Sequence, residues 1–279
     1  MKSTSPWAWI PTLYFAQGLP YVAVMTISVI MYKRLGISNA ELAFYTGWLN
    51  LPWVIKPLWS PFIDLIKTKR WWITWMQLLI GAGLAGIAFT IPTDYFFQLT
   101  LAVFWLMAFS SATHDIAADG FYMLGLSSHE QALFVGIRST FYRIATIAGQ
   151  GLLIMLAGHL EKTTNNIPFS WSITFMVLAG LFLALWVWHK FILPHPDSDK
   201  AAREVSASTL LKEFGATFVS FFRKKQAGIA ILFMLLYRLP EAQLGKMSIP
   251  FLIDPASEGG LGLTTEQIGF VQGTVGIIG

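Results

Sequence analysis

The sequence predicts an all-α, multi-pass transmembrane helical bundle, and three observations lead there. Hydrophobic residues make up 55% of the 279 and charged residues only 12%, with a mean hydropathy of +0.58. Soluble domains carry about 25% charged residues, so a chain of this composition needs lipid as its solvent. Seven apolar stretches each reach the roughly 20 residues that a membrane span requires. Several of them hold ionisable residues in their interiors: Asp115, Asp119, Arg138, Arg143, Arg238 and Glu241. Charge inside a bilayer is expensive and persists where it faces a partner or a wet cavity, which points to a polar path through the bundle.

Taken in order, the apolar pattern predicts helices over about 7–32, 42–59, 71–91, 95–124, 132–157, 169–191 and 227–253, with an eighth starting near Thr265. The chain ends inside that last apolar run, which predicts a span continuing past Gly279. The expected organisation is a six-helix domain over 1–191, a connection over 192–226, and the start of a second transmembrane domain over 227–279. Pro194 and Pro196 end the sixth helix. Beyond them Leu211, Phe214, Phe218 and Phe221 recur at helical spacing among basic residues, the pattern of an amphipathic surface helix. Six spans, a long connection and further spans is a layout in which two halves rock about a site between them.

Loop charge orients the chain. An N-terminus inside places eleven basic residues on the cytoplasmic side (Lys2, Lys67, Lys69, Arg70, Lys190 and six in the long connection) against Lys33, Arg34 and Lys162 outside. Trp7, Trp9, Trp59, Trp71, Trp72 and Trp171 fall near span ends, where interfacial aromatic belts form. A net charge of +4, scattered along the chain, suits anionic lipid and not nucleic acid. With no cysteine there is no disulfide framework, thiol chemistry or cysteine-bound zinc. The histidines show no metal-ligand spacing, and no glycine-rich phosphate loop is present. No cofactor is expected.

The candidate site residues follow from position. Gln17 and Tyr21, four apart around Pro20, share a face near mid-span, as a polar cavity wall or as helix–helix hydrogen bonds. Pro20 predicts a kink. Lys56 and Asp64 flank the end of the second span. Asp115 and Asp119 are one turn apart, to carry a proton or to clasp Arg138 and Lys56. His114 with Asp119 also matches a membrane acyltransferase pattern. Arg143 falls near the midplane, suited to gripping a carboxylate, with Gly149 and Gly151 allowing close helix approach or bending. In the seventh span Arg238 and Glu241 are three apart, with Pro240 between them to break the helix and Lys246 beyond.

These motifs converge. The strings FAQGLP (15–20), KPLWSP (56–61) with Asp64, SATHDI (111–116) with Asp119, Tyr142-Arg143, and LYRL (236–239) running to PFLI (250–253) resemble the AmpG-type muropeptide permeases. These belong to the acetyl-coenzyme A transporter branch of the major facilitator superfamily. The family often has Gln at the position of His114 and Gly-Asp at that of Pro240-Glu241. The resemblance implies a six-plus-six helical fold, residence in a bacterial inner membrane, and proton-driven import of anhydromuramyl peptides. It implies that Asp64 and the basic residues after it latch a cytoplasmic gate. The residues themselves ask only for a small anionic or zwitterionic solute, because Arg143, Arg238 and Lys246 sit in the spans. A siderophore, a peptide, an acyl-coenzyme A or an acyltransferase activity stay open at this point.

Overall fold

The computed structural model describes residues 4–201, 212, 215, 216, 219, 220 and 222–275. All regular structure among them is helical. The first long helix, α1 (Pro6–Arg34), opens as a 3-10 turn and runs through Pro20 into a π turn at Ala23–Ile27. A π turn frees backbone groups inside a helix and tends to mark functional sites. Three short helices follow: α2 (Asn39–Trp48), α3 (Leu51–Ile55) and, after a 3-10 turn at Lys56–Leu58, α4 (Ser60–Ile66). The expected continuous helix over 42–59 is therefore broken. Pro52, Pro57 and Pro61 each lack an amide donor and each sits in the first turn of a new segment, the position where proline is tolerated.

Four long helices come next: α5 (Lys69–Thr90), α6 (Phe96–Gly125), α7 (Ser128–Thr164) and α8 (Ile167–Ile192). Local chemistry sets their starts. The Thr68 side chain accepts the Trp71 amide, Ser127 and Glu130 form a reciprocal capping box, and the Asn166 side chain accepts the Phe169 amide. Asn165 takes a left-handed conformation, φ 51°, to turn the chain between α7 and α8. A π turn at Gly149–Leu153 interrupts α7. Helix α9 (Ala227–Ile253) stays helical through Pro240, correcting the expected break, and α10 (Thr265–Phe270) leads into a π turn at Val271–Val275. Among the described residues, five helices (α1, α5, α6, α7 and α8) are long and apolar enough to cross a membrane.

Helix α5 packs between α6 and α8, and α1 lies against α7 and α6. The larger core gathers Ile30, Tyr32, Phe104, Trp171, Phe175 and Phe182; a smaller one gathers Trp9, Ile10, Tyr14 and Phe121. Large apolar residues such as Phe89, Phe191 and Ile229 stay exposed, as a lipid-solvated surface allows. Trp9 and Trp171 are fully buried instead of forming an interfacial belt: Trp9 stacks edge-on against Phe121, and Trp171 donates its indole N–H to Glu161. An indole buried in this way has packing and a partner that an interface would not supply. The expected amphipathic helix residues Leu211, Phe214, Phe218 and Phe221 lie outside the described residues.

Candidate functional site

A cavity of about 560 Å³ opens among α1, α6 and α7, lined by Tyr14, Gln17, Asp119, Arg138, Ser139, Tyr142, Arg143 and Thr146 among others. Helical spacing builds it. Arg138, Tyr142 and Thr146 repeat every four residues along α7, and Tyr14 and Gln17 lie three apart on α1, so each set shares a face. Gly18 lets these helices approach, since a Cβ there would stand 2.8 Å from the Tyr142 carbonyl oxygen.

One wall is a closed polar triad. Arg138 Nη2 lies 3.6 Å from Asp119 Oδ1, Arg138 Nη1 donates to the Tyr14 hydroxyl at 3.1 Å, and that hydroxyl donates to Asp119 Oδ1 at 3.1 Å. The guanidinium also lies 4.9 Å from the Tyr14 ring centre and 5.0 Å from that of Tyr122, two cation–π contacts with rings that meet edge-on. Arg143, five residues further along α7, has no ion pair or hydrogen bond among the described residues and lines the same cavity. Among the described residues of that lining it is a cation with no neutralising partner.

Asp115 lies behind this wall. Its Oδ2 is 3.8 Å from Lys56 Nζ, and its side chain is only 11% exposed. Gln17, Trp53, Lys56 and Asp119 surround it. Asp115 Oδ1, Trp53 Nε1 and Gln17 Oε1 stand together without a hydrogen bond of normal geometry among the described residues, although Gln17 and Trp53 are near enough to Asp115 to close such bonds with a small shift. The two carboxylates thus do not share one site: Asp119 belongs to Arg138 and the cavity, Asp115 to Lys56.

The expected residues therefore divide. Gln17, Arg143, Asp119 and Arg138 line the cavity, while Lys56 and Asp115 form the ion pair behind it. Tyr21 is absent from the lining and packs edge-on against Trp53, ring centres 5.1 Å apart. The side chains of Asp64, Arg238, Glu241 and Lys246 lie outside the described residues. Of the basic residues after Asp64, Arg70 donates to the carbonyls of Lys190 and Leu193, and the Asp199 carboxylate accepts the amides of Lys69 and Arg70.

Sequence reasoning missed a buried polar chain beside the cavity. His189, expected at a span end, is fully buried. Its Nδ1 donates to Gln77 Oε1 at 3.0 Å, and Gln77 Nε2 donates to His114 Nε2 at 3.0 Å. Thr12 Oγ1 lies 3.0 Å from His189 Nε2. A glutamine inside an apolar run, as Gln77 is, was the available signal. The same chain separates His114 from Asp119: the imidazole turns toward α5 and the carboxylate toward the cavity, so the acyltransferase pairing is not assembled.

Comparisons with known proteins place the chain in a family. The model of the BT1 family matches residues 15–243. The chain belongs to the BT1 family. A Rickettsia conorii protein named as a putative transporter, AmpG 4, is 25% identical over 279 residues, which cover 95% of this chain and 63% of the relative. The Escherichia coli K12 anhydromuropeptide permease is 26% identical over 95% of this chain and 51% of its own length. An uncharacterised Haemophilus influenzae protein is 28% identical over 92% and 58%. The chain thus spans between half and two thirds of the length of these curated relatives. The family is one of multi-pass permeases, not of enzymes.

Proposed function

We propose that this chain is the first part of a proton-driven transporter that imports muropeptides across a bacterial inner membrane, with its N-terminus in the cytoplasm. Residues 1–191 form its first six-helix domain, 192–226 the cytoplasmic connection, and 227–279 the start of the second domain. The observation that carries the reading is Arg143, a cation without a described partner on the wall of a cavity that is otherwise internally neutralised. Arginine grips carboxylates through a planar fork of donors, and anhydromuramyl peptides carry peptide carboxylates. The name of the Escherichia coli relative supports that choice of cargo.

In this reading Arg143 and Arg238 bind substrate carboxylates, Gln17 and Lys246 complete the polar lining, and Tyr21, expected in that lining, instead packs against Trp53. Glu241, Asp115 and Asp119 carry protons or close gates together with Lys56, Asp64 and Arg138. A proton taken up by Asp119 would release Arg138, and one taken up by Asp115 would release Lys56, which couples protonation to helix contacts. Another anionic solute on the same fold is the second reading, favoured by the fact that Arg143 selects charge and not sugar. Uptake of labelled muropeptide by cells expressing the full-length gene, with and without a proton uncoupler, tests both. Uncoupler-sensitive accumulation supports the proposal, and accumulation of other anions alone replaces the cargo.

A further inference from the structure

At the far end of the bundle, ion pairs join α1 and α7 to the segment that follows α9. Glu161 lies on α7, 19 residues beyond the cavity residue Tyr142, or about 28 Å along the helix. Its carboxylate is buried and fully engaged. Arg34 at the end of α1 pairs with it at 2.9 Å, Trp171 of α8 donates to it at 2.8 Å, and Thr265 at the start of α10 donates to it at 2.8 Å. Close by, Lys33 forms an ion pair with Asp254, and Asn39 donates to the same carboxylate at 2.8 Å.

Asp254 and Thr265 belong to one folded loop. It is pinned to the end of α9 by hydrogen bonds from the amides of Leu261, Gly262 and Leu263 to the carbonyls of Phe251, Asp254 and Leu252, each 2.8 Å. Moving the loop moves both contact points together. Between this end and the cavity, α7 and the α10 segment meet without side chains between them. A Cβ on Gly158 would stand 2.2 Å from the Glu266 nitrogen, and one on Gly273 would stand 2.3 Å from the Gly151 Cα. A glycine seam of this kind brings backbones into direct contact. The Glu161 contacts border a separate crevice of about 610 Å³, where the ions can rehydrate if the helices part.

We propose that Glu161–Arg34–Thr265 and Lys33–Asp254–Asn39 form a two-point charge clasp that closes the passage at the end opposite the cavity and must part before the cavity can open there. This rests on the transport reading above, but its test does not use the cargo. The natural sequence over these residues has no cysteine. In the full-length protein, with Ser139→Cys on the cavity wall as the sole thiol, the rate of modification by a membrane-impermeant maleimide is measured from each side of sealed vesicles. With the clasp intact, labelling comes predominantly from one side. Glu161→Gln is expected to raise labelling from the other side about fivefold or more, the size of an ordinary coupling between states.

Asp254→Asn does the same to a smaller extent, and it serves as the reading if Glu161→Gln fails to accumulate in the membrane. The exchange Lys33→Asp with Asp254→Lys is expected to restore the original ratio. Unchanged labelling in a correctly inserted Glu161→Gln or Asp254→Asn protein would overturn the clasp. Failure of muropeptide uptake with a shifted labelling ratio would leave the clasp standing and remove the cargo assignment.

Discussion

Arg138 and Asp119, 19 residues apart in sequence, meet at 3.6 Å on the cavity wall with the Tyr14 hydroxyl bonded to both. Removing the carboxylate leaves a half-buried guanidinium beside two aromatic rings. Asp119→Asn is expected to lower uptake at least about tenfold, roughly 1.4 kcal/mol, with membrane abundance unchanged. A double-mutant cycle with Arg138→Gln should show coupling of about 0.5–3 kcal/mol. Additive losses would mean that the contact is incidental.

Arg143 carries the cargo argument. Arg143→Ala should abolish saturable uptake while the protein still inserts, and Arg143→Lys should restore only part of it, because an ammonium lacks the planar fork. The measurement is initial uptake rate against substrate concentration. Normal transport by the alanine variant would remove Arg143 from the site.

The chain from Thr12 through His189 and Gln77 to His114 predicts a stability effect separate from transport. Gln77→Leu leaves a donor on His189 and an acceptor on His114 buried without partners. Each orphaned group costs about 1–3 kcal/mol, and the midpoint of thermal unfolding in detergent should fall by several degrees. An unchanged midpoint would show that these groups find other partners.

Acid tests the Lys33–Asp254 ion pair. The hydrogen bonds that Asp254 accepts from Lys33 and Asn39 hold its carboxyl below the ordinary value of 3.8. A depressed folded-state value means that the stabilisation is complete above the ordinary carboxylate range and is lost as the pH falls through the lower folded value. The stability difference between the native protein and Asp254→Asn should therefore be constant from pH 7 to about 5 and shrink only below about pH 4. A difference that vanished near neutrality would assign the effect to another group.

Much of the membrane architecture was legible in the chain because a bilayer demands long apolar runs, and runs are local. The runs at α1, α5, α6, α7 and α8 read directly as spans. The run at 42–59 is broken by Pro52, Pro57 and Pro61, whose cost in a helix depends on where each segment restarts, and, among the described residues, the helix over 227–253 is not one of the five able to cross a membrane. Interior charge was legible too, since Asp115, Asp119, Arg138 and Arg143 stand out against apolar neighbours. Their partners were not. Asp115 and Asp119 share a helix face, yet one meets Lys56 from the short helical segments and the other meets Arg138 from α7.

Sequence alone determined that the chain lives in lipid, that it crosses many times, and which charges it carries there, because hydropathy and helical period depend only on residue order. Tertiary structure decided which of those charges are neutralised, that Arg143 has no partner among the described residues, and that Lys33, Arg34 and Glu161 reach Asp254 and Thr265. Contacts across a hundred residues or more depend on how helices pack, and packing distance has no local signature in the chain.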